Sequence, residues 1–553
     1  MSNGGDRYRF IRWLPWALLG IVSTAIAVHW FQRDLNHDDF FFAYTAWMRG
    51  IHAVPYRDFY VANFTVVSEV FAPFFRWFPE SFLPIHIARA AILACNIAVC
   101  YLIYRVTRAL GSTAAWGAVA VLLYLCQPDI ILRIADVRAD PIGAMFLMAC
   151  ALALLTAPEE RVGPVSGIWF GLAITIAYKI ALATPFVAVA VILRNRRHWF
   201  RALLLCGVCS AIAPLLYYAL RLAIDGPQVV LSIWHDVLFG VATGQSNRAS
   251  AIVRFMIMGP STPVAIALGT YGYARAAILY DRDARRGVTY IVLVLGYIAV
   301  AIAMNPFLFP YNYLIWVPLL APIVSGIPRM IARARMPSLE PGLLALTAVV
   351  VASYAALPIV EVTRRTNDVQ IALVKWIWSS TTPGERIFDW QGMHFGRRGI
   401  LHWWSYGGLQ TRYEAGWYTL EDELRAARVS LLINNFRFAY MTPRDQEFVF
   451  RHYVRFAPCL MVPGVYASKK QLQEGGVTLD VFVPGTYRVL GEDLRQVRID
   501  GNLPASHITL QPGLHRVEGV PGSTTDAAVL YTTPLREKAP APCPGDVVLK
   551  GFN

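Results

Sequence analysis

The chain reads as a polytopic α-helical membrane protein of about eleven spans, followed by a soluble α/β plus β-sandwich portion. Three observations carry that prediction. The 553 residues are 56% hydrophobic and 16% charged with a mean hydropathy of +0.44, against about 45–50% apolar and about 25% charged in soluble domains. Apolar runs of membrane-crossing length recur through the first 360 residues. Beyond them, Gly and Pro punctuate short alternating runs. This composition excludes a disordered or nucleic-acid-coating protein. The net charge of +14 comes from 44 Arg and 6 Lys against 36 acids. Most arginines of the first 340 residues sit in short runs between apolar stretches, which is how topology-setting charge is distributed. No nucleic-acid partner is expected. Six of the eight cysteines lie in apolar runs, and no pair of C-x-x-C motifs is present, so no metal framework is predicted.

The expected spans are 13–30, 83–104, 113–127, 141–157, 164–178, 180–193, 202–224, 251–273, 288–304, 311–327 and 342–360. A crossing helix needs about 20 apolar residues, and the pair around Lys179 is short. The first span is too long for a cleavable signal, and no small-x-small site follows it. Orientation follows from basic residues. A cytoplasmic N-terminus puts Arg7, Arg9 and Arg12, Arg105 and Arg108, Arg161, Arg194 to Arg201, Arg282 to Arg286 and Arg329 to Arg335 inside. The carboxylate-bearing loops, with Asp34, Asp38, Asp39, Asp58, Glu69 and Glu80 and then Asp129, Asp136 and Asp140, lie outside. The sequence therefore predicts a multi-pass inner-membrane protein whose C-terminal part is extracytoplasmic. Membrane lipids are its surroundings.

Residues 1–360 form the predicted membrane module, with a long first outer loop at 31–82. Residues 361–470 read as an α/β domain: a helix at 367–379, a strand from Arg386, a helix at 420–428, a strand at 429–433, a helix at 443–456 and a strand at 460–466. Residues 471–553 read as a β-sandwich, with strands at 477–483, 486–490, 496–500 and 515–519 and an Asp500-Gly501 turn.

Candidate chemistry concentrates in the outer loops. Asp38 and Asp39 are adjacent at the membrane boundary, where like-charge repulsion raises their affinity for a proton and suits one of them to general-base work. An Asp ahead of an apolar run is equally a helix N-cap. In the second loop, Arg138 could hold a phosphate bidentately, with Asp136 or Asp140 binding sugar or orienting it. Asp140-Pro141 also reads as an ordinary helix start. Lys179 is the only lysine in the first 374 residues and falls between two apolar spans. An ammonium there must snorkel or meet an anion. His37, His52 and His86 lack metal-ligand spacing.

The first loop also carries a familiar pattern: Asp38-Asp39, Phe42, Ala43 and Ala46, Gly50, then Pro55-Tyr56-Arg57-Asp58-Phe59. Together with 74–78, Arg89 and 104–111, it resembles the GT-C superfamily of polytopic glycosyltransferases. The branch it resembles contains the protein O-mannosyltransferases, the aminoarabinose transferase and the lipopolysaccharide galacturonic-acid transferases. The resemblance covers roughly residues 30–330. Where that branch often has His-Pro-Pro after Asp-Phe, this chain has Val61-Ala-Asn-Phe-Thr65. Arg138-Ala-Asp140 matches the branch's Arg-x-Asp, and Tyr311-Asn-Tyr313 resembles its aromatic entry to a late helix, although an interfacial belt role is open for both tyrosines.

The resemblance implies a GT-C-like fold and an inverting glycosyltransferase working outside the cytoplasmic membrane. A polyprenyl-phosphate sugar would be the donor and an envelope glycan or lipid the acceptor. Asp38, with Asp39, would accept the acceptor's proton. Lys179 and Arg138 would stabilise the departing phosphate, with Asp136, Asp140, Tyr56, Arg57, Asp58, Tyr311 and Tyr313 as further binding residues. A lipid monophosphate can be handled by protein cations, so the family implies no obligatory divalent metal or other cofactor. Two alternatives stay open: a non-catalytic lipid-glycan transporter or flippase, and a phosphoethanolamine-type transferase, for which 361–553 shows no zinc-ligand cluster. Cys459 and Cys543 are the only cysteines beyond 361. In an oxidising compartment they are expected to form a disulfide, closing a loop of about 85 residues that the chain-entropy model values at about 4–5 kcal/mol.

Overall fold

The architecture was obtained as a computed structural model. It describes residues 4–61, 66–243, 249, 252–254, 256, 259–278, 282–304, 310–403, 408–523 and 525–533. The expected positions 62–65, 305–309 and Cys543 lie outside them. The chain divides into two compact units: Met1–Asp34 with Ile85–Thr366, and Leu35–Pro84 with Asn367–Asn553.

The first unit is helical. Among the described residues, seven helices are long and apolar enough to cross a membrane: Ile11–Val28, Leu83–Ala109, Ala139–Thr156, Trp199–Asp225, Arg286–Met304, Tyr313–Ala332 and Pro337–Arg364. The chain is thus a polytopic membrane protein. The other four expected spans coincide with helical segments that fall short of that standard. Ala114–Leu125 has 12 residues, and at 1.5 Å per residue it covers only part of a core of about 30 Å. Glu159–Ile176 opens on Glu159, Glu160 and Arg161. The segment after Lys179 is split into a 3₁₀ turn, Tyr178–Ala183, and the helix Thr184–Arg194. Ser261–Ile278 carries polar Thr and Tyr positions among its small residues. One helix, Pro227–Thr243, lies where the sequence suggested only a loop.

Burial separates centre from rim. The span Tyr313–Ala332 is 83% buried, whereas Trp199–Asp225 is 6% buried and exposes Leu204, Val208, Ile212, Leu215 and Leu216. An all-round apolar helix with an exposed apolar flank is what lipid contact requires. The central span is not one regular helix. Tyr313–Leu320, a 3₁₀ segment Ala321–Gly326 and Ile327–Arg333 follow one another, because Pro318 and Pro322 each remove a backbone donor. On Glu159–Ile176, Gly163, Gly167 and Gly171 recur every four residues. Each lies against backbone of Trp199–Asp225, at Ala202, Cys206 and Ser210 respectively. Lipid supplies no hydrophobic drive between such helices, so close backbone approach over small residues is what holds them.

The second unit is α/β and β-rich. Its strands are β1 (Arg386–Phe388), β2 (Val429–Ile433), β3 (Tyr453–Ala457), β4 (Leu460–Ala467), β5 (Val477–Val481), β6 (Gly485–Gly491), β7 (Val497–Ile499), β8 (His507–Leu510), β9 (Gly513–Gly519) and β10 (Ala527–Tyr531). One sheet runs β1-β2-β4-β10-β6-β8, with β3 paired to β4; a second runs β5-β9-β7. β1 and β2 are parallel, while β4, β10, β6 and β8 pair antiparallel. The predicted α/β and β-sandwich parts thus share a sheet through the β4–β10 pairing. The helix expected over 443–456 stops at His452. Tyr453-Val-Arg-Phe-Ala is buried at its two ends and exposed at Arg455, and its β-branched and aromatic residues favour the hairpin with β4. The core between the sheets is built from Leu479, Val481, Tyr487, Val489, Val497, Val517 and Val529.

Candidate functional site

In the helical unit, the structure gathers four of the predicted residues, Arg138, Asp140, Lys179 and Tyr311, into one cluster. Arg138 is the extended residue that caps Ala139–Thr156, and Asp140 lies inside the first turn. The expected N-cap role of Asp140 therefore falls to Arg138 instead. The reason is visible in the contacts: the Asp140 carboxylate is drawn between two cations. Arg138 Nε donates to Asp140 Oδ2 at 2.9 Å, and Lys179 Nζ pairs with Oδ1. Lys179 also donates to Asn312 Oδ1 at 2.9 Å. The Tyr311 ring lies under both cations, 3.9 Å from Arg138 Cζ and 4.8 Å from Lys179 Nζ, where its negative face is attractive.

Two cations and one carboxylate leave the cluster with one net positive charge. The side chains of Arg138 and Asp140 are 8% and 6% exposed, but that of Lys179 is 24% exposed. An ammonium that is paired yet reachable, in surroundings poor in water, is suited to an incoming anion. Tyr313 is not part of this group; it is buried, with its ring 6.1 Å from that of Trp316. Asp136 is also apart, fully buried and 3.9 Å from Arg33 Nη2, while Arg33 Nη1 donates to the Ile131 carbonyl at 2.9 Å.

Two participants were missed by sequence reading. Asn312 lies between the two tyrosines and had no signal of its own. Arg254 donates to Asp129 Oδ1 through Nη2 at 2.8 Å. It falls inside a stretch read as an apolar span, where a lone intramembrane arginine was the available signal.

In the second unit, the acidic pair opens the helix His37–Gly50, and its two members differ. Asn36 is the N-cap. Its backbone N–H donates to Asp39 Oδ2 at 2.9 Å, half of a capping box. Asp39 is 1% exposed. Asp38 is partly exposed, with its carboxylate 3.6 Å from His37 Nε2. Asn36 is thus the cap, Asp39 its capping-box partner, and Asp38 the more accessible carboxylate of the pair.

Tyr56, Arg57 and Asp58 form a tight turn. Asp58 Oδ2 accepts from Val54 N at 2.8 Å, and Tyr56 N donates to Phe59 O at 2.8 Å. Tyr56 is held at φ +63°, a left-handed conformation that costs a bulky residue about 1–2 kcal/mol. Arg57 Nη2 lies 2.8 Å from Asp58 Oδ2. That hydrogen bond holds the Asp58 carboxyl below the usual carboxylate range, against a smaller opposing effect of burial.

The helix carrying the acids is anchored by the loop after β1. Tyr44 accepts from Gly399 N at 2.8 Å, and its ring lies 4.2 Å from Trp403 and 4.5 Å from His394. Burial holds the Tyr44 phenol neutral, above its ordinary range. Asp389 shapes the loop, accepting from Gln391 N, Gly392 N, Met393 N and His394 Nδ1 at 2.7–3.0 Å. At Gly392, φ +84°, an added Cβ would lie 2.9 Å from the Phe40 carbonyl, so only glycine allows this approach. Cys459 is disulfide-bonded, and the six other described cysteines are free thiols.

No protein-family model and no curated protein matches the chain by sequence. Solved structures do match. ArnT from Cupriavidus metallidurans in the apo state aligns over 80% of this chain and 97% of its own, at 12% identity and a TM-score of 0.52. The same protein bound to undecaprenyl phosphate aligns over 70% and 84%, at 13% identity and 0.50. The Archaeoglobus fulgidus oligosaccharyltransferase aligns over 82% and 72%, at 12% identity and 0.46. The chain thus shares its fold with ArnT.

Proposed function

We propose that the chain is an inverting GT-C glycosyltransferase that moves a sugar from a polyprenyl-phosphate donor to an envelope glycan or lipid, on the outer side of the cytoplasmic membrane. The observation that carries this is the Arg138–Asp140–Lys179 cluster over Tyr311, a built anion-accepting group with a single net positive charge. The apo and undecaprenyl-phosphate-bound structures that share the fold support a lipid-phosphate ligand.

In this reading, the donor's phosphate oxygens meet Lys179 Nζ and the Arg138 guanidinium. Asp140 keeps both cations oriented before the donor arrives, so little reorganisation is required in the reaction itself. Asp38 takes the proton from the acceptor hydroxyl as its oxygen attacks the anomeric carbon. The carbon–oxygen bond to phosphate breaks on the opposite face, which inverts the configuration. Charge developing on the departing phosphate is where Lys179 and Arg138 lower the barrier. Asp39, committed to its cap, supports Asp38 structurally. Tyr56, Arg57 and Asp58 offer polar contacts to the substrate beside a rigid turn.

The test is turnover by purified protein, using the polyprenyl-phosphate-sugar lipids extracted from a deletion strain as donor and that strain's unmodified envelope glycans or lipids as acceptor. Wild type should consume donor and release polyprenyl phosphate, and Asp38→Asn should not. Normal turnover by both Asp38→Asn and Asp39→Asn would refute the assignment of the base.

A further inference from the structure

The backbone on which Asp38 rests is gripped by a side chain far away in sequence. Gln370 is the third residue of the helix Asp368–Ser380 and is 7% exposed. Its Oε1 accepts from Leu35 N at 2.6 Å, and its Nε2 donates to Leu35 O at 2.8 Å. One amide thus satisfies both polar groups of a single buried residue, three positions before Asp38. The grip extends a backbone seam: Arg33 bridges Thr366, and Asp34 N donates to Arg365 O at 3.2 Å. The Asn36–Asp39 cap follows directly. From Arg33 to Asn36, then, the main chain is held by a contact at each residue.

We propose that Gln370 is a positioning residue for the base, setting the register at which the helix His37–Gly50 begins and therefore where the Asp38 carboxylate stands. The inference rests on the assignment of Asp38 as base. Its chemistry is specific to an amide. A side chain that only donates or only accepts leaves one Leu35 group unpaired in a buried setting, which is costly, and that group can be satisfied only by moving. Position matters steeply in such sites: a shift of about 1 Å can cost about 10²-fold in rate. Lipid-phosphate affinity at the Arg138–Lys179 cluster is the control: a positioning role for Gln370 predicts that it stays unchanged.

The experiment compares wild type, Gln370→Met, Gln370→Glu and Asp38→Asn in detergent. It measures kcat and KM with donor lipids from the deletion strain, and binding of undecaprenyl phosphate as a probe. Gln370→Met preserves shape and loses both bonds. It should lower kcat about 10–100-fold while KM and undecaprenyl-phosphate affinity stay within twofold. A protonated carboxyl can both accept from Leu35 N and donate to Leu35 O. The kcat of Gln370→Glu relative to wild type should therefore climb as pH falls. Equal kcat for wild type and Gln370→Met, with Asp38→Asn inactive, overturns the positioning role and leaves the base standing. Equal loss of kcat and of undecaprenyl-phosphate affinity in Gln370→Met, with no recovery of Gln370→Glu, marks general unfolding and also overturns it. An active Asp38→Asn overturns the base itself.

Discussion

Replacing Lys179 by glutamine should weaken lipid-phosphate binding about 10- to 100-fold. The cluster of Arg138, Asp140 and Lys179 carries one net positive charge, and Lys179→Gln brings it to zero. Asp140 would then neutralise Arg138 alone through the 2.9 Å contact, leaving no surplus charge for an incoming phosphate. A unit charge about 4 Å from another at an effective dielectric near 20 is worth about 4 kcal/mol before desolvation. Hydrogen bonds to charged groups retain about 1.5–3 kcal/mol net, and each 1.4 kcal/mol is about tenfold in affinity. Lys179→Arg keeps the charge but replaces a point donor with a planar fork, and should stay within about fivefold of wild type. Isothermal titration with undecaprenyl phosphate in detergent, repeated at rising ionic strength, measures both effects. Wild type and Lys179→Arg should lose affinity with salt more steeply than Lys179→Gln. Three equal affinities with equal salt slopes would leave Lys179 as a snorkelling lysine paired with Asp140, and would refute the anion-site argument.

Other consequences reach the fold and the soluble unit. Gly167→Val drives a side chain into the backbone at Cys206; overpacking of this kind costs about 1–3 kcal/mol, seen as a lower melting temperature, and an unchanged melt would refute the close-packed seam. At the Asp500 turn, burial opposes charge on both partners. The His515–Asp500 hydrogen bond nevertheless raises the His515 pKa and lowers that of Asp500. His515 therefore stabilises fully below its unfolded pKa of about 6.5 and less as pH rises through its folded value; Asp500 stabilises above about 3.9 and less as pH falls. Hydrogen-exchange protection of β7 and β9 should peak between those limits, and His515→Gln should flatten the alkaline side. A bridge between Cys459 and Cys543 predicts that non-reduced protein yields only six alkylatable thiols on denaturation, and eight would exclude it.

Much of this architecture is legible from residues one at a time, because membrane segments are dictated by local composition. The expected spans 202–224 and 288–304 differ from the helices Trp199–Asp225 and Arg282–Met304 only at their ends. Residue alternation likewise placed β9, and a short apolar run between two helices placed β2. What failed locally was decided by partners. Residues 453–456 have enough helical pattern to extend the preceding helix, and only β4 makes them a strand. β10 has weak alternation and exists because β4 and β6 flank it. At the site, Lys179 and Arg138 stood out by rarity and motif, and the structure brings them to one carboxylate. Asp38 and Asp39 look identical in sequence; the cap on Asn36 distinguishes them. Asn312 and Gln370 carried no such mark, since their roles arise from contacts across 133 and 335 positions of chain; Arg254 offered one, a lone arginine in an apolar span, and its partner Asp129 lies 125 positions away.

The most direct test of the central claim is mass spectrometry of lipids and envelope glycans from a deletion strain, complemented with wild type or Asp38→Asn. The account predicts that deletion removes one sugar from an envelope glycan or lipid and leaves the matching polyprenyl-phosphate sugar accumulating. Wild type should reverse both changes and Asp38→Asn neither. Unchanged glycans with no accumulated donor, or full restoration by Asp38→Asn, would contradict it.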